Sequence, residues 1–330
     1  MIDKLFNWFS TFGNLVFAIL VFTASGVACG QAQESTTAKE IPDGPFVVVL
    51  GIAQDGGFPQ AGCKRECCER AWNDSSAKRQ VSCIAIVDPK TNSRWMLDCT
   101  PDFREQLHML DSVNAGNGTE VLSGIFLTHA HMGHYTGLMH LGREAIGAGS
   151  VPVHAMPRMQ KFLETNGPWS QLVTLKNIDL QPLEADKPVT LSKSISVTPI
   201  IVPHRDEFSE TVAFKIAGPN QTVLYLPDID KWSRWDRSIE KTIGEVGVAL
   251  LDGTFFDGAE LPGRDMSQIP HPMVAESVQQ FSVLDPKIRN RVHFIHLNHT
   301  NPLLRPDSPA RRTIDQVGMH VANELQIIKL

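Results

Sequence analysis

The chain has 330 residues, with 30 Lys and Arg against 36 Asp and Glu, a formal net charge of −6, 42% hydrophobic and 20% charged residues. This is the balance of an ordinary globular protein, long enough for one large domain or two small ones with a core that needs no staples. With no Lys/Arg cluster in it, the chain lacks the basic face with which duplex-binding proteins grip nucleic acid, so a small molecule is the expected partner and nucleic acid is not.

Residues 15–24, LVFAILVFTA, form an apolar run shorter than the ~20 residues of a comfortable membrane span. Small residues Ser25 to Ala28 follow, and then Cys29. That order predicts a secretory signal over 1–28. Gly26-Val27-Ala28-Cys29 is similar to a bacterial lipoprotein box. The chain is therefore expected to be exported, to the periplasm or as a lipoprotein whose membrane contact is a lipid on Cys29. Residues 29–45 are polar and end in two prolines, which reads as a disordered tether. A single folded domain is expected over 46–330, since no linker divides it.

Strands are predicted at 46–50, at 81–87 and at 94–97, the last two forming a hairpin across Asp88-Pro-Lys-Thr-Asn-Ser. Between the first two lies the loop GIAQDGGFPQAG, with four glycines and a proline. A helix is predicted over 103–110. Ile125-Phe-Leu is a strand that delivers the chain into THAHMGH. A helix is expected over 136–146, a strand over 151–155 and a helix over 158–164. Strands recur at 195–201, 212–216, 223–226 and 246–251, then a helix over 273–283 and a strand over 292–295 that leads into HLNHTNP. Hairpins mixed with strand–helix units suggest two sheets between helices.

Twelve histidines is a high count, and His129, His131, His134 and His140 fall in one short stretch. His129 and His131 are two apart, so on an extended strand end their side chains point the same way and can meet at one cation. His134 can turn toward a neighbouring position. HAHMGH resembles the HxHxDH signature of the metallo-β-lactamase superfamily. The resemblance implies a four-layer αββα sandwich and a site for one or two Zn²⁺ ions, with Fe²⁺ as an alternative. It also implies that His129, His131 and His204 hold the first ion, that Asp228 bridges, and that His134 and His296 belong to the second. Gly133 stands where the family has Asp, so the second position is expected to be weak or empty, with His299 as a conceivable stand-in. Asp230, next to the bridging carboxylate, reads as a solvated turn residue.

Within the superfamily, VLGIAQDGGFPQ, SCIAIVDPKTNSRWMLDCTPDFREQL and HLNHTNPLL resemble the PqqB family of pyrroloquinoline quinone biosynthesis. PqqB proteins generally lack the first two histidines of the motif and work in the cytoplasm, so this chain reads as a PqqB-like branch with a more hydrolase-like site. The same resemblance implies a structural zinc at Cys63, Cys67 and Cys68, against a disulfide or free thiols read from the cysteines themselves. Cys83 and Cys99 lie on strand segments and are expected to be buried.

Three functions compete. In the first, a metal-activated water attacks a small ester or, by slight preference, a phosphodiester, with Asp228 orienting the water and His271 donating a proton to the leaving group. The second is a metal-dependent oxygenase of the PqqB kind, making a redox cofactor. The third is a non-catalytic metal- or ligand-binding lipoprotein.

Overall fold

The computed structural model describes residues 41–330 apart from 117 and 119. The leader expected at 1–28, Cys29 and residues 29–40 of the tether lie outside the described residues.

In chain order the strands are β1 (Phe46–Gly51), β2 (Cys83–Asp88), β3 (Ser93–Leu97), β4 (Gly124–Phe126), β5 (Val151–Ala155), β6 (Ile178–Pro182), β7 (Val189–Thr190), β8 (Ser196–Ile201), β9 (Val212–Ala217), β10 (Thr222–Leu226), β11 (Val248–Asp252), β12 (Val292–Ile295), β13 (His320–Val321) and β14 (Ile327–Lys329). One sheet has the order β14-β1-β2-β3-β4-β5-β6 and the other β13-β12-β11-β10-β9-β8-β7.

Strand β1 is buried at every position, because both of its faces meet a core. Val47 and Val49, with Ile84 and Ile86 of β2, join Phe214 and Leu224 of the second sheet. Phe46, Val48 and Leu50 turn the other way, onto Phe103 and Leu110 of the helix Phe103–Val113 and Leu163 of the helix Pro157–Thr165. Strand side chains alternate in direction, so an unbroken apolar run can serve two layers at once. Helices Ile239–Gly244, Val274–Phe281 and Pro309–Gln316 add Ile243, Phe281 and Ile314 to the cluster that contains the second sheet. The result is two mixed sheets flanked by helices, the αββα sandwich read from the sequence.

Strand direction places the site. β1 is antiparallel to β2 and β2 to β3, while β3 to β6 are parallel. β8 is antiparallel to β9 and β9 to β10, while β10 to β13 are parallel. The carboxyl ends of β1, β3 and β4 therefore lie together, as do those of β8, β10, β11 and β12. Sheets of this kind bind ligands beyond their carboxyl ends.

The helix expected over 136–146 is absent. A helical turn, Met132–Tyr135, runs into a 3-10 stretch, Thr136–Leu141, followed by turns. Gly137 donates its N–H to Cys99 O at 2.9 Å, so its amide is spent outside any helical ladder. It lies so close that an added Cβ would sit 2.1 Å from Thr100 O. Strands β6, β7, β13 and β14 and the helices Trp169–Thr174, Ile239–Gly244, Pro286–Arg289 and Pro309–Gln316 were not predicted. They are short segments whose apolar pattern covers too few turns or alternations to stand out.

Candidate metal centre

The loops after β4, β8 and β10 bring His129, His131, His204 and Asp228 together, with one ligand atom of each within 4.8 Å of the others. His129 Nε2 lies 3.3 Å and His204 Nε2 3.1 Å from Asp228 Oδ2, and His131 Nδ1 is 3.8 Å from the same oxygen. His134 Nε2 is 3.9 Å from that oxygen too. The Asp228 carboxylate is thus within reach of all three histidines of the motif, as a bridging group would be.

The outer atoms of the rings explain the inner ones. Asp98, at the end of β3, accepts from Thr128 Oγ1 at 2.8 Å. With that hydroxyl proton used, Thr128 can only accept from His129 Nδ1, 3.0 Å away. The Nε2 of His129 is left with a lone pair aimed into the site. Asp98 Oδ2 fixes His134 in the same sense through Nδ1 at 2.8 Å. Asp230 Oδ1 does so for His204 at 3.2 Å. The arrangement repeats in the second sheet, where Asp252 accepts from Thr254 Oγ1 at 2.7 Å and Thr254 meets His296 Nδ1 at 2.9 Å. Such outer partners set tautomer and ring direction at metal-binding histidines. His131 is turned the other way round, its Nε2 3.5 Å from Glu207 and its Nδ1 2.8 Å from His129 Nε2. At that distance the two nitrogens share a proton, or take a cation once both are unprotonated.

The buried atoms agree with this. Among the described residues, His134 Nε2, His204 Nε2 and Asp228 Oδ1 are buried without a hydrogen-bond partner. They are close to oxygens or nitrogens but not aligned to share a proton, which is costly unless an ion satisfies them. Nitrogen and carboxylate donors of this type suit Zn²⁺ or Fe²⁺, so the residues present fit the metal the fold implies.

Charges follow the contacts. Burial pushes the Asp228 carboxyl up, but the charges of His204 and His271 and contact with His129 and His131 hold it well below the usual carboxylate range. Burial alone would lower His204, yet Asp228 and Asp230 raise it to about 9. His129 is pushed well down by burial and by the charge of His134, which keeps it neutral as a ligand must be.

Every histidine expected at the centre is there; His140 is not, and stacks instead on Phe103 at 5.9 Å. Asp230 is a correction. It is buried, tied to His204 and Arg234, and is no solvated turn residue. The second position also departs from expectation. It has an oxygen donor after all: Asp55 groups with His134 and His296, its Oδ1 3.2 Å from the Nε2 of each. Asp55 belongs to the glycine-rich loop after β1, where an Asp before two glycines reads as a turn former. Asp98 and Asp252 were not singled out either. Left-handed backbone marks Asp98 (φ 68°), and also His296 (φ 62°), and such strain gathers at functional sites, but no such mark falls on Asp252.

His299 does not stand in at the second position. It groups with Cys63, Cys67 and Cys68. Its Nδ1 lies 3.3 Å from Cys68 Sγ and 3.7 Å from Cys67 Sγ, and Cys63 Sγ is 3.7 Å from Cys67 Sγ. All are free thiols. Sulfurs at that separation match the edge of a tetrahedron with bonds of ~2.3 Å to an ion. Cys83 and Cys99 are fully buried, as expected.

His271 completes the centre. Its Nδ1 is 2.8 Å from Asp252 Oδ2 and 3.2 Å from Asp228 Oδ1. It lines a cavity of about 440 Å³ whose wall also includes Gln54, Gln60, Arg205, Phe255 and Arg264.

Residues 93–297 match the sequence pattern of the family described as "Beta-lactamase superfamily domain". The chain is similar to coenzyme PQQ synthesis protein B of Xanthomonas oryzae pv. oryzae, at 25% identity over 300 residues covering 84% of this chain and 97% of that protein. The protein of the same name from Klebsiella pneumoniae subsp. pneumoniae is 28% identical over 307 residues, covering 84% and 96%. The crystal structure of Zn²⁺-bound PqqB from Methylobacterium extorquens superposes with a TM-score of 0.71 at 22% identity, over 86% of this chain and 100% of that one. At that identity the likeness speaks for the fold.

Proposed function

Because the chain belongs to the beta-lactamase superfamily domain family and is PqqB-like over most of its length, we propose that it is a metal-dependent hydrolase acting on a small phosphodiester or ester. The observation that carries this reading is the set His129, His131, His204 and Asp228, whose ligand atoms lie within 4.8 Å of one another, with His204 Nε2 and Asp228 Oδ1 buried and without hydrogen-bond partners. A divalent ion, when bound, supplies Lewis acidity and makes water a nucleophile near neutral pH. The protein's own groups do the rest. Asp228, held ionised, orients the attacking water and takes its proton. Asp252 holds His271 by Nδ1, which leaves Nε2 as the atom that passes a proton to the leaving group. The exposed guanidinium groups of Arg205 and Arg264 on the cavity wall favour an anionic substrate over a neutral one, so the phosphodiester is preferred. We also read Cys63, Cys67, Cys68 and His299 as a structural metal position.

The test is elemental analysis of the mature domain beside His131→Ala, with hydrolysis of bis(4-nitrophenyl) phosphate, 4-nitrophenyl acetate and a simple lactone followed in parallel. The expected result is zinc in wild type, less in the variant, and phosphodiester cleavage lost with it. Equal metal in both proteins would sink the reading.

The similarity to coenzyme PQQ synthesis protein B supports a second reading, an oxygenase with Fe²⁺ in the same ligands. The leader read at 1–28 weighs against it, because an exported protein is cut off from cytoplasmic reductant. Iron at the centre together with oxygen uptake would put this reading ahead.

A further inference from the structure

The superfamily pattern puts a carboxylate at position 133, and this chain has glycine there. A Cβ added to Gly133 would lie 2.3 Å from Asp55 Oδ1, 2.6 Å from Asp55 Cγ and 2.7 Å from Asp55 Cα. Real Cβ atoms do not come that close to a neighbour, and here the nearest atoms include backbone. The space that a side chain at 133 would need is filled by Asp55 itself.

We propose that Asp55 and Gly133 are a transposed pair: the oxygen donor of the second metal position has moved from the histidine motif to the loop after β1, and Gly133 is bare so that it fits. This rests on the metal-centre reading above and completes it, because it makes the centre a two-ion site with Asp55, His134 and His296 around the second ion and Asp228 between the two.

The loop is built to hold such a ligand. Gln54 N donates to Leu297 O and Leu297 N to Ile52 O, both at 2.8 Å, which locks the residues before Asp55 to the residue after His296. Ala53 N donates to Gln80 O at 2.9 Å and Ser82 N to Ala53 O at 2.7 Å, so the segment leading into β2 holds the other side. Gly57 N donates to Gln54 O at 2.7 Å and closes the turn over Asp55. The carboxylate is presented by fixed backbone on both flanks, as a ligand must be if binding is not to cost the ordering of a loop. The inward oxygen meets two ring nitrogens whose outer atoms are already taken by Asp98 and Thr254, so each ring, once neutral, turns a lone pair toward it. One anionic oxygen with two such nitrogens is a donor set that suits a divalent cation.

The experiment counts ions rather than turnover. Wild type, Asp55→Ala, Asp55→Asn, Gly133→Asp and the double exchange Asp55→Gly/Gly133→Asp are each loaded with Co²⁺ and titrated by calorimetry. Thiolate charge-transfer absorption separates the cysteine cluster's ion from those of the histidine centre, and melting curves show that each protein is folded. The expected result is two ions at the centre of wild type and one in Asp55→Ala and Asp55→Asn. Gly133→Asp alone should melt lower, because two carboxylates and a backbone contend for one space. The double exchange should regain the second ion. If Asp55→Ala and Asp55→Asn keep both ions at wild-type affinity, or if the folded double exchange stays at one, the transposition is wrong. A wild type with one ion at His129, His131 and His204 would also overturn it while leaving the hydrolase standing. No ion at the centre would bring down both.

Discussion

Three of the four groups in the cysteine cluster come from residues 63–68 and only His299 from elsewhere, whereas the histidine centre draws on the loops after β1, β4, β8, β10 and β12. The cluster is a local device added to a fold; the centre exists only when both sheets are assembled. Exposure does not separate them, since each mixes buried with half-buried groups: Cys68 and His299 with Cys63 and Cys67 in the cluster, the other central groups with His131 and Asp55. The difference in origin separates what each can do: a local thiol clamp suits holding the chain, and a convergence of nitrogen and carboxylate suits chemistry on a bound molecule.

The largest effect should come from the shared carboxylate. Asp228→Asn removes the charge common to both positions at the centre but leaves the cysteine cluster untouched. Hydrolysis should fall by roughly three orders of magnitude, ~4 kcal/mol in barrier, with the melting temperature little changed, as steady-state rates and calorimetry would show. A variant that keeps its rate would erase the distinction between the two regions.

The converse change is Cys68→Ser. It should lower stability by about 3–4 kcal/mol if the cluster holds a tightly bound ion, while residual folded protein keeps its turnover per molecule within a few-fold. Denaturant unfolding with and without chelator reads this. Unchanged stability would mean that the thiols are ordinary half-buried side chains.

The smallest effect concerns the backbone that serves both regions. Glu324 Oε1 accepts from Gln80 N at 2.6 Å, and Gln80 O in turn accepts from Ile52 N and Ala53 N. Burial raises the Glu324 carboxyl to about 7. A raised acid contributes its stability in full below the unfolded value of ~4.3 and loses it as pH rises through the folded one. Across that interval wild type should lose up to ~3 kcal/mol relative to Glu324→Gln, measured as the difference of two stability–pH curves. Parallel curves would show that the group is not held in its protonated form.

The sequence told most where chemistry is concentrated in a short stretch. His129, His131 and His134 announce themselves by spacing, and His204, Asp228 and His296 through the resemblance to the metallo-β-lactamase superfamily. It told least where a role depends on what two distant loops do together. Asp55 looks like a turn residue until β1 and β12 set it against His134 and His296. His299 sits three residues from His296 yet its Nδ1 lies against the thiols. Asp98, Asp230 and Asp252 act through the outer nitrogens of other residues, and nothing in spacing reveals that. In the fold, long apolar strands were legible and two-residue edge strands were not.

Asp55 and Cys63 lie on one loop, and His296 and His299 on another, so each loop gives one ligand to each metal position. Filling either position fixes the spacing between the same two loops, and so helps set where the ligands of the other stand. The two loading equilibria are thereby linked, and linkage of this kind is reciprocal. Stripping the ion from the thiols should weaken the hold on the second central ion by the same factor as stripping that central ion weakens the hold of the thiols on theirs.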